Sequence, residues 1–106
     1  METPFFQEHW LDENDNPAGG TSQGVGFCIS WQNGPLNRDN ERKEPNGAFV
    51  ENIIKAAIGR IEFYQKSKFA CEYNANALAY LRKASESLNQ RTIDREKRQV
   101  EGTHKQ

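Results

Sequence analysis

The feature that most constrains this chain is a long stretch of helical periodicity in its second half. Val50, Ile53, Ile54, Ala57, Ile58, Ile61 and Tyr64 recur at i, i+3, i+4 and i+7, the spacing that lines one face of an α-helix. The pattern predicts a first helix from about 48 to 67, weakened at Gly59, where glycine costs roughly 1 kcal/mol against alanine. Cys71, Asn74, Leu78, Leu81, Ser85, Leu88 and Thr92 then fall on alternating steps of three and four. That is the seam of a helical hairpin or bundle, and it predicts a second helix from about 70 to 98. Ser67-Lys68 makes the connection. The seam is weak, because Asn74 and Ser85 lie on it. At ~1.5 Å per residue both helices reach about 30 Å or more. Two such helices do not cover each other's apolar faces, so a strand and further copies must do the rest.

Composition supports that conclusion. Only 35% of the 106 residues are apolar, 27% are charged, and mean hydropathy is −0.95. A domain this small and polar buries a modest core and is expected to complete it by self-association. No run approaches the roughly 20 apolar residues that span a bilayer. Met1–Leu11 lacks the basic start and apolar stretch of a signal peptide. The expectation is a soluble protein of the cytosol, where Cys28 and Cys71 stay reduced and read as small buried apolar residues.

Ahead of the helices the pattern changes. Val25, Phe27, Ile29 and Trp31 alternate with Gly26, Cys28 and Ser30, which predicts a strand over 22–32 closed by a turn at Asn33-Gly34-Pro35. Residues 36–47 read as a loop. Residues 1–20 are polar and acidic, and read as a flexible arm whose Phe5, Phe6 and Trp10 dock elsewhere. The whole is an α+β fold: a small N-terminal antiparallel β-ribbon, then a long antiparallel two-helix hairpin, assembled as a homo-oligomer. Residues 21–106 form one domain, with ribbon and loop over 21–47, hairpin over 48–98 and a tail over 99–106.

The chemistry carried is that of binding. His9 and His104, with two distant cysteines, make neither a zinc set nor a nucleophilic triad. Gly24-x-Gly26 precedes a strand rather than a helix, so it is no dinucleotide fingerprint. No cofactor is implied and the chain reads as non-catalytic. From Arg82 onward seven bases face four acids, a local patch suited to a small anion rather than to long nucleic acid.

Three features remain open to two readings each. Phe63 and Tyr64 point to different faces. They fill the hairpin core and an oligomer contact, or they stack a nucleobase, which contributes about 1–3 kcal/mol per base. Asn74 fixes helix pairing, or reads a base or ribose with its paired donor and acceptor. Arg91, Arg95 and Arg98 share a helical face. They form a solvated helix end favoured by the macrodipole, or grip phosphate with planar forks.

The run NGAFVENIIKAAIGRIEFYQKSKFACEYNANAL, then LNQRTIDREKRQVEGTHK, resembles the Thoeris anti-defence sponge family of phages, which shares a helical-hairpin domain with anti-CBASS cyclic-nucleotide sponges. GFCISWQNGPL and the EPNG loop are similar to the same group, so the resemblance covers roughly residues 20–105. It implies small homo-oligomers, typically hexamers, that hold cyclic ADP-ribose isomers without cleaving them. Some members also hold cyclic di- or trinucleotides. The second aromatic of EFYQ falls on Tyr64, implied to stack adenine. The Asn of FACxxN falls on Asn74, implied to bond to the ligand. The arginines of RTxxR fall on Arg91 and Arg95, implied to hold phosphates, with Arg98 a second-tier candidate. The chain departs from the family at Gln99, where RGVEGT carries glycine, and at the additional polar residue Asn76. The alternative is a helical-hairpin module that contacts another protein and takes no small ligand.

Overall fold

A computed structural model describes residues 3–37 and 39–98. They form two compact units, 3–49 and Val50–Arg98. The chain is α+β: an antiparallel sheet of three strands, then two helices.

The first unit is a meander of β1 (Phe5–Leu11), β2 (Pro17–Gly24) and β3 (Phe27–Trp31), in the order β1-β2-β3. The sequence reading needs correction here. Residues 5–11, expected within a flexible arm, are a strand, and the boundary expected after residue 20 falls inside β2. The single strand expected over 22–32 is the end of β2 and all of β3, folded back at Val25-Gly26. Gly26 has φ of +87°, which a β-turn accepts at its second central residue when that residue is glycine. At the other turn the Asp12 carboxylate accepts from the backbone N–H of Asn14 and Asn16, at 2.8 and 3.0 Å. An aspartate side chain thereby mimics a backbone turn.

The sheet has a polar centre. Ser22 is buried, its hydroxyl donating to Gln7 Oε1 and accepting from Trp31 Nε1, both at 2.8 Å. Burial of a hydroxyl is costly unless its bonds are met, and here two are. Register places Gln7, Ser22 and Ile29 side by side, and the Phe5 and Phe27 rings approach to 6.0 Å between centroids. The Pro45-Asn46-Gly47 loop returns along β3. Asn46 bonds both backbone groups of Asn33 through its side chain and donates its own backbone N–H to Gln32 Oε1. Ala48 bridges Trp31 in parallel. A Cβ on Gly47 would lie 2.5 Å from the Trp31 carbonyl, so only glycine permits that approach.

The second unit pairs α1 (Val50–Gln65) with α2 (Glu72–Lys97), close to the ranges the periodicity predicts. The half-buried positions of α2 include Asn74, Leu81, Ser85, Leu88, Thr92 and Arg95, which continue the expected seam; Leu78 is buried outright. Cys71 begins α2 as its N-cap without a side-chain cap bond. The Gln65 amide compensates, donating to the Cys71 carbonyl at 3.1 Å and accepting its N–H at 3.0 Å. Both cysteines are exposed, contrary to the buried placement expected of them. Cys28 lies on the exposed side of β3 and Cys71 on the connection, where nothing covers a small side chain. Arg82–Glu62 at 2.8 Å and Arg91–Glu51 at 3.8 Å tie the helices at two levels. Such surface pairs contribute at most about 1 kcal/mol each. Among the described residues of the hairpin Leu78 is the one buried apolar side chain. The tail, with Gln99 and His104, lies outside the described residues. No described helix is long and apolar enough to cross a membrane.

Candidate ligand-binding site

The last turn of α1 gathers aromatic rings around a cation. Tyr64 is 38% exposed and Phe63 60%, their ring centroids 6.2 Å apart. Arg60 stands one turn earlier, at i−3 and i−4, the spacing at which helical side chains meet. Its guanidinium carbon lies 5.1 Å from both ring centroids, within the range of a cation–π contact. Its Nε–H donates to the Tyr64 hydroxyl at 3.2 Å. Tyr64 continues the apolar stripe of α1 in sequence but keeps much of its ring in solvent. Phe63 is still more open.

Asn74 lies in the first turn of α2. It is half-buried, and its Nδ2 donates weakly to the Phe69 carbonyl, at 3.4 Å. The amide therefore leans on the connecting segment, not on α1. Nothing in its contacts uses the pairing register that polar seam residues usually fix. Asn76 is exposed.

The arginines sit near the other end of α2. Arg95 is half-buried on the seam line, whereas Arg91 is exposed and reaches Glu51 of α1. Arg98 pairs with Asp94 at 2.9 Å, so its charge is partly offset one turn away. Arg91 lies seventeen positions after Asn74, and at about 1.5 Å of rise per position they stand about 25 Å apart along the helix. The fold thus brings Tyr64 and Asn74 to the connection end of the hairpin, and Arg91 and Arg95 to the opposite end. Within one chain it does not bring the two groups together.

Between the helices, along the middle of the hairpin, runs an open cavity of about 520 Å³ lined by Glu51, Lys55, Arg82, Glu86 and Thr92 among others. It touches none of the four residues singled out from the sequence. Neither it nor Arg60 was foreseen. The groove follows from Ser85 on the seam, where a small polar residue leaves the helices unfilled. Arg60 is signalled only by its spacing to Phe63 and Tyr64. Among the described residues no group of histidine, cysteine, aspartate or glutamate side chains could hold a metal ion.

Residues 29–92 match the family described as the Acb2/Tad1 hairpin domain, a span that takes in the end of β3, all of α1 and most of α2, with Tyr64, Asn74 and Arg91 inside it. A protein of Bacillus phage SBSphiJ7 named Thoeris anti-defense 1 is 40% identical over 76 residues. That match covers 72% of this chain and 51% of the relative, so the chain spans about half the length of the relative it matches. The chain belongs to the phage Thoeris anti-defence family, whose hairpin domain is that of Acb2/Tad1.

Proposed function

We propose that the protein is a phage anti-defence sponge: it binds cyclic ADP-ribose isomers in the host cytoplasm and withholds them from Thoeris without cleaving them. The observation that carries this reading is the division of the candidate residues. One end of the hairpin offers an exposed aromatic ring and an amide, the chemistry for a nucleobase and ribose. The other end offers two arginines one helical turn apart, the chemistry for a diphosphate. A second hairpin packed antiparallel on the first sets the aromatic end of one copy beside the arginine end of the other. Tyr64 then stacks adenine, Asn74 bonds to the base or ribose, and Arg91 and Arg95 hold phosphates, with Arg98 nearby.

Assembly is also what the core requires. A hairpin with Leu78 as its one buried apolar residue among those described gains most of its stability from neighbours. A homo-oligomer, with a hexamer favoured, supplies them. Ligand bound across copies stabilises the assembly by mass action. Cyclic di- or trinucleotides, and hence CBASS signals, are further ligands within this reading, and no cofactor or catalytic step enters it.

The direct test is a calorimetric panel of cyclic ADP-ribose isomers and cyclic di- and trinucleotides, followed by denaturation and recovery of the ligand. The expected result is tight binding with the ligand returned intact. A degraded ligand would make the protein an enzyme. A second reading is a protein-interaction module, favoured by the exposure of Phe69, Tyr73 and Tyr80 on the hairpin surface, since large exposed apolar patches mark contact sites. An empty panel would move the assignment to it.

A further inference from the structure

The geometry points to Arg60 as a ligand-binding residue: its guanidinium, held by Tyr64, engages an anionic group of the nucleotide whose base stacks on that ring. The inference rests on Tyr64 being the stacking residue of the proposed function. Its own grounds are three. Arg60 is held in place, because its Nε–H donates to the Tyr64 hydroxyl and its charge lies over two rings. An arginine immobilised before the ligand arrives loses less freedom on binding than one that must be ordered then. No carboxylate neutralises it among the described residues, whereas Arg82, Arg91 and Arg98 each pair with an acid. Finally, Arg91 and Arg95 of the same chain are about 25 Å from this end of the hairpin, so Arg60 is the arginine bonded to Tyr64 wherever the second copy lies.

The arrangement gives the Tyr64 hydroxyl a task. Phenylalanine would stack a base as well, but it would leave the Arg60 fork unanchored. With Nε used by Tyr64, the two terminal nitrogens of the guanidinium are left to present a pair of N–H donors to phosphate oxygens. Such a residue selects a nucleotide over a nucleoside at the base-binding end of the site.

The test uses the full-length protein and calorimetry with the cyclic ADP-ribose isomer that the wild type binds. Arg60→Met keeps the aliphatic stem over the rings and removes charge and donors; Arg60→Ala is its companion. Circular dichroism and native mass check that both variants fold and assemble. The expected result is a loss of affinity of about tenfold or more, near 1.4 kcal/mol, with weaker dependence on salt than the wild type shows, because a screened charge contact is gone. Tyr64→Phe should lose a smaller factor, and Arg60→Met with Tyr64→Phe together should bind no worse than Arg60→Met alone. That non-additivity marks the two side chains as one unit, and the weakened salt dependence is the readout that a merely structural arginine would not produce. Binding within twofold of wild type, or a loss with unchanged salt dependence, would overturn the assignment while leaving sequestration standing. A wild type that binds no isomer would remove both.

Discussion

At the scale of single residues, the sequence exposes charge and aromatic chemistry but not what each side chain is attached to. Arg91 and Arg95 could be placed on one helical face from spacing alone. That Arg95 lies half-buried on the seam line while Arg91 reaches Glu51 could not, because it depends on how far α1 runs alongside α2. The difference matters for the test. Arg95→Ala should weaken binding of a cyclic ADP-ribose isomer by about ten- to a hundredfold, the range of a charge-assisted bond at roughly 1.5–3 kcal/mol, while native mass shows the oligomer unchanged. Arg95→Lys should recover little, since an ammonium lacks the planar fork. Unaltered affinity in both variants would remove Arg95 from the phosphate site. Ser22 shows the opposite failure of reading. The sequence puts it at the start of a strand but gives no sign of its burial, and it is the most buried side chain of the sheet, because Gln7 and Trp31 come from two other strands to satisfy it. Partners 15 and 9 residues away in sequence leave no local trace.

At the scale of elements, the helices were legible and the sheet only in part: an antiparallel ribbon is expected from the sequence, but not its three strands or their bounds. Helical periodicity is carried by residues that are close in sequence, and α1 and α2 fall within two residues of their expected ends. The sheet misleads because β1 is apolar on both faces, with Phe5 and Phe6 adjacent and Trp10 and Leu11 adjacent, so no period of two appears. Val25, Phe27, Ile29 and Trp31 alternate across a turn as if along one strand. The signal that breaks this reading is Gly26, whose φ of +87° is left-handed backbone. Nothing lies within 4 Å of a Cβ built there, so a side chain costs only backbone strain, of order 1–2 kcal/mol. Gly26→Ala should therefore lower the stability of the protein by about that amount in chemical denaturation. Gly26→Asn should cost less, because asparagine visits this region more readily. Equal stability in all three proteins would mean that the turn between β2 and β3 is not what closes the hairpin.

At the scale of the whole molecule, the decisive fact is how little the hairpin buries for what it carries. The hairpin buries Leu78 and little else among its described apolar residues, and its candidate ligand residues stand at opposite ends. In the proposed assembly both shortages have the same remedy, a second hairpin laid antiparallel on the first. In a two-fold pair each site then takes Tyr64 and Asn74 from one copy and Arg91 and Arg95 from the other, so every pair holds two equivalent sites. This makes a complementation experiment informative. Tyr64→Ala and Arg95→Ala should each bind poorly when pure. In a mixed pair one site carries both defects, and the other carries neither. Equal amounts co-refolded at random should thus regain about a quarter of the wild-type sites, each at wild-type affinity, since half the pairs are mixed and each mixed pair has one intact site of two. Calorimetric stoichiometry reads that fraction directly. A mixture that binds no better than its parts, with native mass showing that mixed oligomers had formed, would mean that the ring and the arginines do not serve one ligand across copies. The aromatic end and the arginine end would then have to be assigned separate partners.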